Sequence, residues 1–353
     1  MDYSAQLKKY INVVAHEGGS DLHFSTGAHP TVRVDGNLVP MLKEPVLESK
    51  DTKGFVDVLL TKEQKDRFLT DFEMDFAYET PEGLRFRGNA FFERGSVSIE
   101  LRLIPKQIRT VKELNLPDVI ETFARKTQGF FLVVGPVGQG KSTTLAALIE
   151  LINVERTEHI ITIEDPIEYV YEPKRSLIDQ REVKIDTKDF ATALQSAFRQ
   201  DVDVILVGEM RGPETMAAAV TAAETGHLVF STMHTNDAAQ TVDRIIDTFP
   251  ASQQDQIRMQ LASSLAGIFS QRLLPRISGG LIPAYELLIN NKAIGNLMRE
   301  RRTHEIPTVI ETSSQEGMVD MNRSLAELVA RGEITVETAY AASLNPNVLQ
   351  KLL

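Results

Sequence analysis

The 353-residue sequence contains no cysteine, which excludes disulfides and thiolate metal sites and suits a reducing cytoplasm. It has no apolar run near the ~20 residues that a membrane-spanning helix needs. Its start, Met1-Asp2-Tyr3-Ser4, shows neither the basic nor the apolar region of a signal peptide, so a cytoplasmic location is expected. Basic charge is in deficit. Lys and Arg number 38 against 49 Asp and Glu, a net charge of −11. That balance argues against a broad footprint on DNA or RNA, and no nucleic-acid partner is expected. Internal repeats and low-complexity tracts are missing too. What remains is 42% hydrophobic and 25% charged, the balance of a globular protein long enough for two cores.

One stretch organises the rest: Gly135-Pro136-Val137-Gly138-Gln139-Gly140-Lys141-Ser142-Thr143-Thr144. It fits G-x-x-x-x-G-K-[ST] in full. The apolar run Phe130–Val134 before it reads as a strand buried on both faces. After it, Leu145, Leu148, Ile149 and Ile152 form the apolar stripe of a helix. Strand, glycine loop and helix make a phosphate cradle. Gly138 and Gly140 allow successive N–H groups to converge on one anion, at the positive end of a helix. Residues 135–143 are therefore the candidate nucleotide-binding residues. Lys141 would reach the β- and γ-phosphates of ATP, and the Ser142 hydroxyl would ligate Mg²⁺.

Residues 1–105 read as a small mixed α/β domain. A helix is expected from Tyr3 to Gly18, then a hairpin of 31–34 and 37–39 around Asp35-Gly36, and helices over 53–60 and 62–70. Strands 84–92 and 97–103 follow, joined at Arg94-Gly95. Pairing that sums to 189 sets Phe92 opposite Val97 and Arg87 opposite Arg102, with Ser98, Glu100 and Arg102 outward. Residues 106–117, with prolines at 105 and 117, read as a linker. From 118 to 353 strands alternate with helices, the mark of a mainly parallel sheet, with strands at 130–134, 160–163, 204–207 and 228–230. The C-terminal part reads as mainly helical, with Ile257, Leu261, Leu265 and Ile268 on one stripe.

Three of these strands end in polar clusters: Glu164-Asp165-Pro166, Gly208-Glu209-Met210-Arg211, and Ser231-Thr232-Met233-His234. Strand carboxyl ends line the crevice of a parallel sheet, beside the glycine loop. Gly208 stands where an Asp usually holds Mg²⁺ through water, so Glu164 or Asp165 must supply that carboxylate. Ser142 and Glu164 are thus candidate metal holders, and Glu209 is the candidate general base. His234 is a third candidate, with a satisfied core histidine as the alternative.

At these residues the sequence resembles the PilT-type retraction ATPases of type IV pili, within the secretion ATPase superfamily. Residues 135–144, 161–169, 180–183, 204–211 and 222–235 look like that family's Walker A, Asp, Walker B and His boxes. Ser20-Asp21-Leu22-His23 and Ala293–Glu300 extend the likeness to both ends. The resemblance implies a PAS-like N-terminal domain and a RecA-like P-loop ATPase domain. It implies a homohexamer that uses ATP and Mg²⁺, peripheral to the inner membrane at the pilus base. Its partners would be a membrane platform protein and a PilU-like paralogue. It also implies that Arg87 and Arg102 are fingers acting on a neighbour's nucleotide. Val137 and Gln139 stand where the family carries Thr and Ser, and Gly295 where it carries Arg. The missing cysteines set the chain apart from extension and type II secretion ATPases, which carry a tetracysteine zinc element. Its residues also leave a PilU-like accessory ATPase, a nucleic-acid translocase and a non-hydrolysing scaffold as readings to test.

Overall fold

The computed structural model describes residues 2–34, 36–105 and 107–353, in two compact units, Met1–Gln107 and Ile108–Leu353. Asp35 of the expected Asp35-Gly36 turn and Lys106 of the expected linker lie outside the described residues.

The first unit comprises α1 (Tyr3–His16), β1 (Asp21–Phe24), β2 (Thr31–Val34), β3 (Asn37–Pro40), α2 (Ser49–Leu59), α3 (Lys62–Asp71), β4 (Glu73–Glu79), β5 (Arg85–Glu93) and β6 (Ser96–Ile104). Its sheet runs β3-β2-β1-β6-β5-β4, antiparallel throughout. Leu7, Tyr10, Ile11 and Val14 fall at helical spacing and are buried, along with Phe24, Phe55 and Phe86. The expected register holds: Phe92 pairs with Val97 and Arg87 with Arg102. Three details differ. α2 opens at Ser49 rather than Lys53, because Asp51 accepts the Glu48 N–H and completes a capping box. Ser98 is buried rather than outward, its hydroxyl donating to Glu93. Strands β1 and β4 carry no strong sequence signal, one being four residues long and the other mostly polar.

The second unit begins with α4 (Glu121–Ala124), β7 (Gly129–Val134), α5 (Lys141–Glu155), β8 (His159–Glu164), β9 (Leu177–Glu182) and α6 (Phe190–Ala197). It continues through β10 (Val204–Val207), α7 (Pro213–Glu224), β11 (Leu228–Met233), α8 (Ala238–Asp247), α9 (Ala251–Ser264), β12 (Leu265–Pro275) and β13 (Leu281–Ile289). Five helices close it: α10 (Lys292–Arg299), α11 (Ile306–Thr312), α12 (Met321–Ala330), α13 (Val336–Ala342) and α14 (Pro346–Leu352). The sheet order is β13-β12-β7-β11-β10-β8-β9, parallel except for β13 at one edge. Phe130, Leu132 and Val134 point into the core on one face, and Phe131 and Val133 into the core on the other. That two-sided burial is why β7 reads as an uninterrupted apolar run.

The C-terminal part is less helical than its sequence pattern suggests. Leu265 and Ile268 do not extend the α9 stripe; they belong to β12, which with β13 spans much of residues 265–289. β12 lies between β7 and β13 and is buried on both faces, so it shows no polar alternation. Its first apolar residues happen to continue the three-and-four spacing of α9. The polar edge strand β9 was likewise invisible to hydrophobic patterning.

Candidate active site

The parallel register sets four strand ends side by side: Val134 beside Met233, Ser231 beside Val207, and Val207 beside Ile163. The segments that leave these ends form the site. After β7 the chain turns through Gly138 (φ 78°) and Gly140 (φ 77°), both left-handed, and enters α5 at Lys141. Side chains larger than glycine rarely adopt that backbone. Among the described residues, the N–H groups of Val137 to Thr143 find no acceptor in the protein. This loop is a concave run of donors at a helix N-terminus.

Lys141 is buried, and its Nζ donates to Gly135 O at 2.7 Å and Pro136 O at 2.8 Å. Burial lowers its pKa, offset in part by the charges of Glu168 and Glu209. His234 Nδ1 lies 3.3 Å from Lys141 Nζ, and its Nε2 lies 3.8 Å from Glu209 Oε2. Burial and then the Lys141 charge depress the His234 pKa, so the neutral ring accepts from the ammonium. Half of its side chain is exposed, which is not the habit of a core histidine. Glu209 Oε1 pairs with Arg211 Nε at 2.5 Å. The Glu209 segment is tied to its neighbour by the Thr232 hydroxyl, which donates to Gly208 O at 2.7 Å. So Lys141, Glu209 and His234 converge.

Glu164 is buried at the end of β8. Its carboxylate accepts from Thr162 Oγ1 at 2.7 Å, Glu168 N at 3.2 Å and Gln180 Nε2 at 3.4 Å, while burial pushes its pKa up to about 7. Gly208 explains its own identity. A Cβ there would meet Ile163 O at 3.3 Å, a tight approach, and Glu164 Cα at 3.5 Å, an ordinary contact, so a side chain at this place would press on the end of β8. The Ser142 hydroxyl and Glu164 are hard oxygen donors of the kind Mg²⁺ takes, alongside water and phosphate oxygens. Among the described residues no cluster of three acidic or histidine side chains could hold a metal by itself, and a nucleotide-bound Mg²⁺ needs none.

Arg87 and Arg102 belong to the first unit. Arg33, Asp21, Arg102 and Arg87 form one row across β2, β1, β6 and β5. Arg102 Nε donates to Asp21 Oδ1 at 2.8 Å, so the Arg102 charge is met by Asp21, while Glu100 faces His23 at 3.5 Å. Burial pushes the Asp21 carboxyl up, but bonds from Ser20 and Arg102 outweigh it and leave it below the usual range.

Two clefts open among these residues. One, of about 640 Å³, is lined by Glu209, Arg211, His234, Asn236 and Arg244. The other, of about 350 Å³, lies between Arg109, Leu114, Thr143, Gln271 and Leu273. Gln271, Arg109 and Glu168 were missed by sequence reasoning. Glu168 sits within the run 161–169, but the roles of Gln271 and Arg109 appear only once the strand and the 108–117 segment are placed.

Glu286 of β13 supports the far side of the His234 loop. Its Oε1 accepts the N–H of Ala238, the first residue of α8, at 2.8 Å. Burial, with Asp237 and Asp320 nearby, pushes its carboxyl up to about 8, against the opposing charge of Arg272. In the unfolded chain this group titrates near 4.5, so between those values the folded state holds a proton that the unfolded state has lost. Stability therefore falls as pH rises through that window. The melting temperatures of Glu286→Gln and the parent should coincide near pH ~5 and diverge up to pH ~8.5, with the variant more stable. A pH-independent difference would show that Glu286 ionises freely in the fold.

Strand, glycine loop and helix at the carboxyl edge of a parallel sheet define the class, an α/β fold of the P-loop ATPase kind. Residues 4–280 match the model of the type II/IV secretion system protein family, and the chain belongs to that family. It is 45% identical to the type IV pilus retraction ATPase PilT of Pseudomonas aeruginosa over 326 residues, 92% of this chain and 94% of that protein. Its identity to the type IV pilus ATPase PilU of the same organism is 38% over 349 residues, 99% of this chain and 91% of the relative. A crystal structure of the pilus retraction motor PilT with bound ADP superposes with a TM-score of 0.90 at 45% identity, covering 97% of this chain and 98% of that one.

Proposed function

We propose that this chain is a motor ATPase that couples Mg²⁺-dependent ATP hydrolysis to retraction of a type IV pilus. It works as a homohexamer on the cytoplasmic side of the inner membrane, against a membrane platform protein. The first unit serves as the PAS-like domain and the second as the RecA-like domain. The observation that carries the reading is the run of N–H groups from Val137 to Thr143 with no acceptor among the described residues, beside Lys141, Glu209 and His234. In it, residues 135–143 hold the phosphates, and the cleft beside Leu114 and Leu273 takes the nucleoside. Ser142 and Glu164 hold Mg²⁺, Glu209 polarises the attacking water, and His234 with Lys141 responds to the γ-phosphate. A bound Mg²⁺ would spread the charge of the β- and γ-phosphates. The 45% identity to a retraction ATPase, against 38% to PilU, favours the motor over the accessory role. Among the described residues no helix is long and apolar enough to cross a membrane.

Lys141→Ala tests both halves of the proposal. The purified variant should lose ATP binding while remaining folded, because Lys141 bonds to the carbonyls of the loop and packs in none of the hydrophobic clusters. Cells that carry only this variant should display excess surface pili and fail to twitch. Normal affinity would overturn the phosphate cradle, and bald cells would redirect the reading to pilus extension.

A further inference from the structure

Successive side chains of a strand point to opposite sides, and β12 uses both sides at the site. Ser270 Oγ donates to Asn236 O at 2.8 Å, and Arg272 lies 3.4 Å from Asn236 Oδ1, so these two hold the segment after His234. Gln271 and Leu273 hold the glycine loop. Gln271 is 3% exposed; its Nε2 donates to Gln139 O at 2.8 Å and its Oε1 accepts from Thr144 Oγ1 at 2.7 Å. Gln139 answers with its own side chain, whose Oε1 accepts the Leu273 N–H at 2.6 Å. The backbone presses in as well: a Cβ on Gly135 would come within 2.4 Å of Gln271 O.

The orientation of the Gln271 amide follows from chemistry. A main-chain carbonyl can only accept, so the NH₂ end must face Gln139 O and the oxygen must face Thr144, whose hydroxyl then donates. The loop is thereby fixed at Gln139 from two directions, and the first turn of α5 is fixed at Thr144. We propose that Gln271 is a positioning residue for the phosphate loop, and that Gln271 and Gln139 form a two-amide clasp that sets where the loop N–H groups converge. The clasp touches no phosphate; it acts through the backbone on either side of the cradle. Gln139 makes half of this arrangement, at a place where a serine would be too short to reach Leu273 N. This inference rests on the loop being a nucleotide site.

The test measures ADP and ATP affinity and steady-state ATPase kinetics for Gln271→Leu, Gln271→Glu, Thr144→Val, Gln139→Ser and the double variant Thr144→Val/Gln271→Leu, with Lys141→Ala alongside. Gln271→Leu removes both of its hydrogen bonds and should raise Kd for both nucleotides about tenfold, and should raise KM more than it lowers kcat. Gln271→Glu keeps the shape and the acceptor for Thr144 but turns an acceptor toward Gln139 O, so its loss should be at least as large. The double variant should be no worse than Gln271→Leu alone, because both changes break one network. Gln139→Ser removes only the Leu273 bond at a half-buried position. It should weaken affinity several-fold without lowering the melting temperature, and this holds the test open if the Gln271 variants fail to fold. Parent-like affinity in the folded variants, with binding lost in Lys141→Ala, would overturn the clasp alone. Parent-like affinity in Lys141→Ala as well would overturn the nucleotide site beneath it.

Discussion

Glu209→Gln should bind ATP about as well as the parent and turn it over about 10²–10⁴-fold more slowly, the usual contribution of a positioned base. Glu209 follows the end of β10 in the middle of the parallel strands, at the carboxyl edge where such a sheet binds its ligand. Its carboxylate is within reach of Arg211 on one oxygen and of His234 on the other, and His234 in turn reaches Lys141. Glu164, the rival, is differently placed. It is buried, with donors from Thr162, Gln180 and the Glu168 backbone already on its oxygens, an arrangement for holding rather than for taking a proton from water. Glutamine keeps the size and removes the basic oxygen, so binding and melting temperature serve as controls. Turnover at the parent rate would move the base to Glu164.

The second large effect concerns the arginine row of the first unit. Arg87→Ala and Arg102→Ala should each lose most turnover while retaining ATP binding and a folded monomer. Fingers that stabilise transition-state charge contribute roughly 10³–10⁵ in rate. Arg102 carries its charge on a side chain that is 68% exposed, while Asp21, itself 11% exposed there, holds only the Nε edge. A guanidinium can bind an anion through two nitrogens at once, the geometry expected of a finger on a phosphate. A mixed-ring experiment decides whether the action is in trans. Lys141→Ala subunits should be unable to turn over ATP, yet they present intact arginines and should partly rescue Arg102→Ala subunits. Rings proven to be mixed that show no rescue would confine the arginines to a structural or same-subunit role.

The parts of this protein that were legible from its sequence are those where one physical rule dominates. The glycine loop was legible because its backbone demands Gly138 and Gly140, and the central strands because double burial leaves unbroken apolar runs such as Phe130–Val134. The pairing of Arg87 with Arg102 followed from a two-residue turn that leaves one register open. Reasoning failed where tertiary neighbours decide. Leu265 and Ile268 are spaced as on a helix, and only the company of β7 and β13 makes them strand residues. With β12 lost, Gln271 could not be connected to a loop more than a hundred positions earlier. Asp21 escaped notice as the partner of Arg102 for the same reason, since β1 is too short to announce itself.

The place of β12 beside β7 bears on how the protein is made. The ribosome releases β7 and the glycine loop early, but the strand that seats that loop, Leu265–Pro275, emerges only after all the intervening parallel strands. A nascent chain that has reached Ser264 has its phosphate loop but no Gln271 to bind Gln139 or Thr144. If the clasp acts as proposed, the seat of the phosphate loop is completed late in translation, near the end of the β12–β13 hairpin, and a chain that stops short of it should hold nucleotide more weakly.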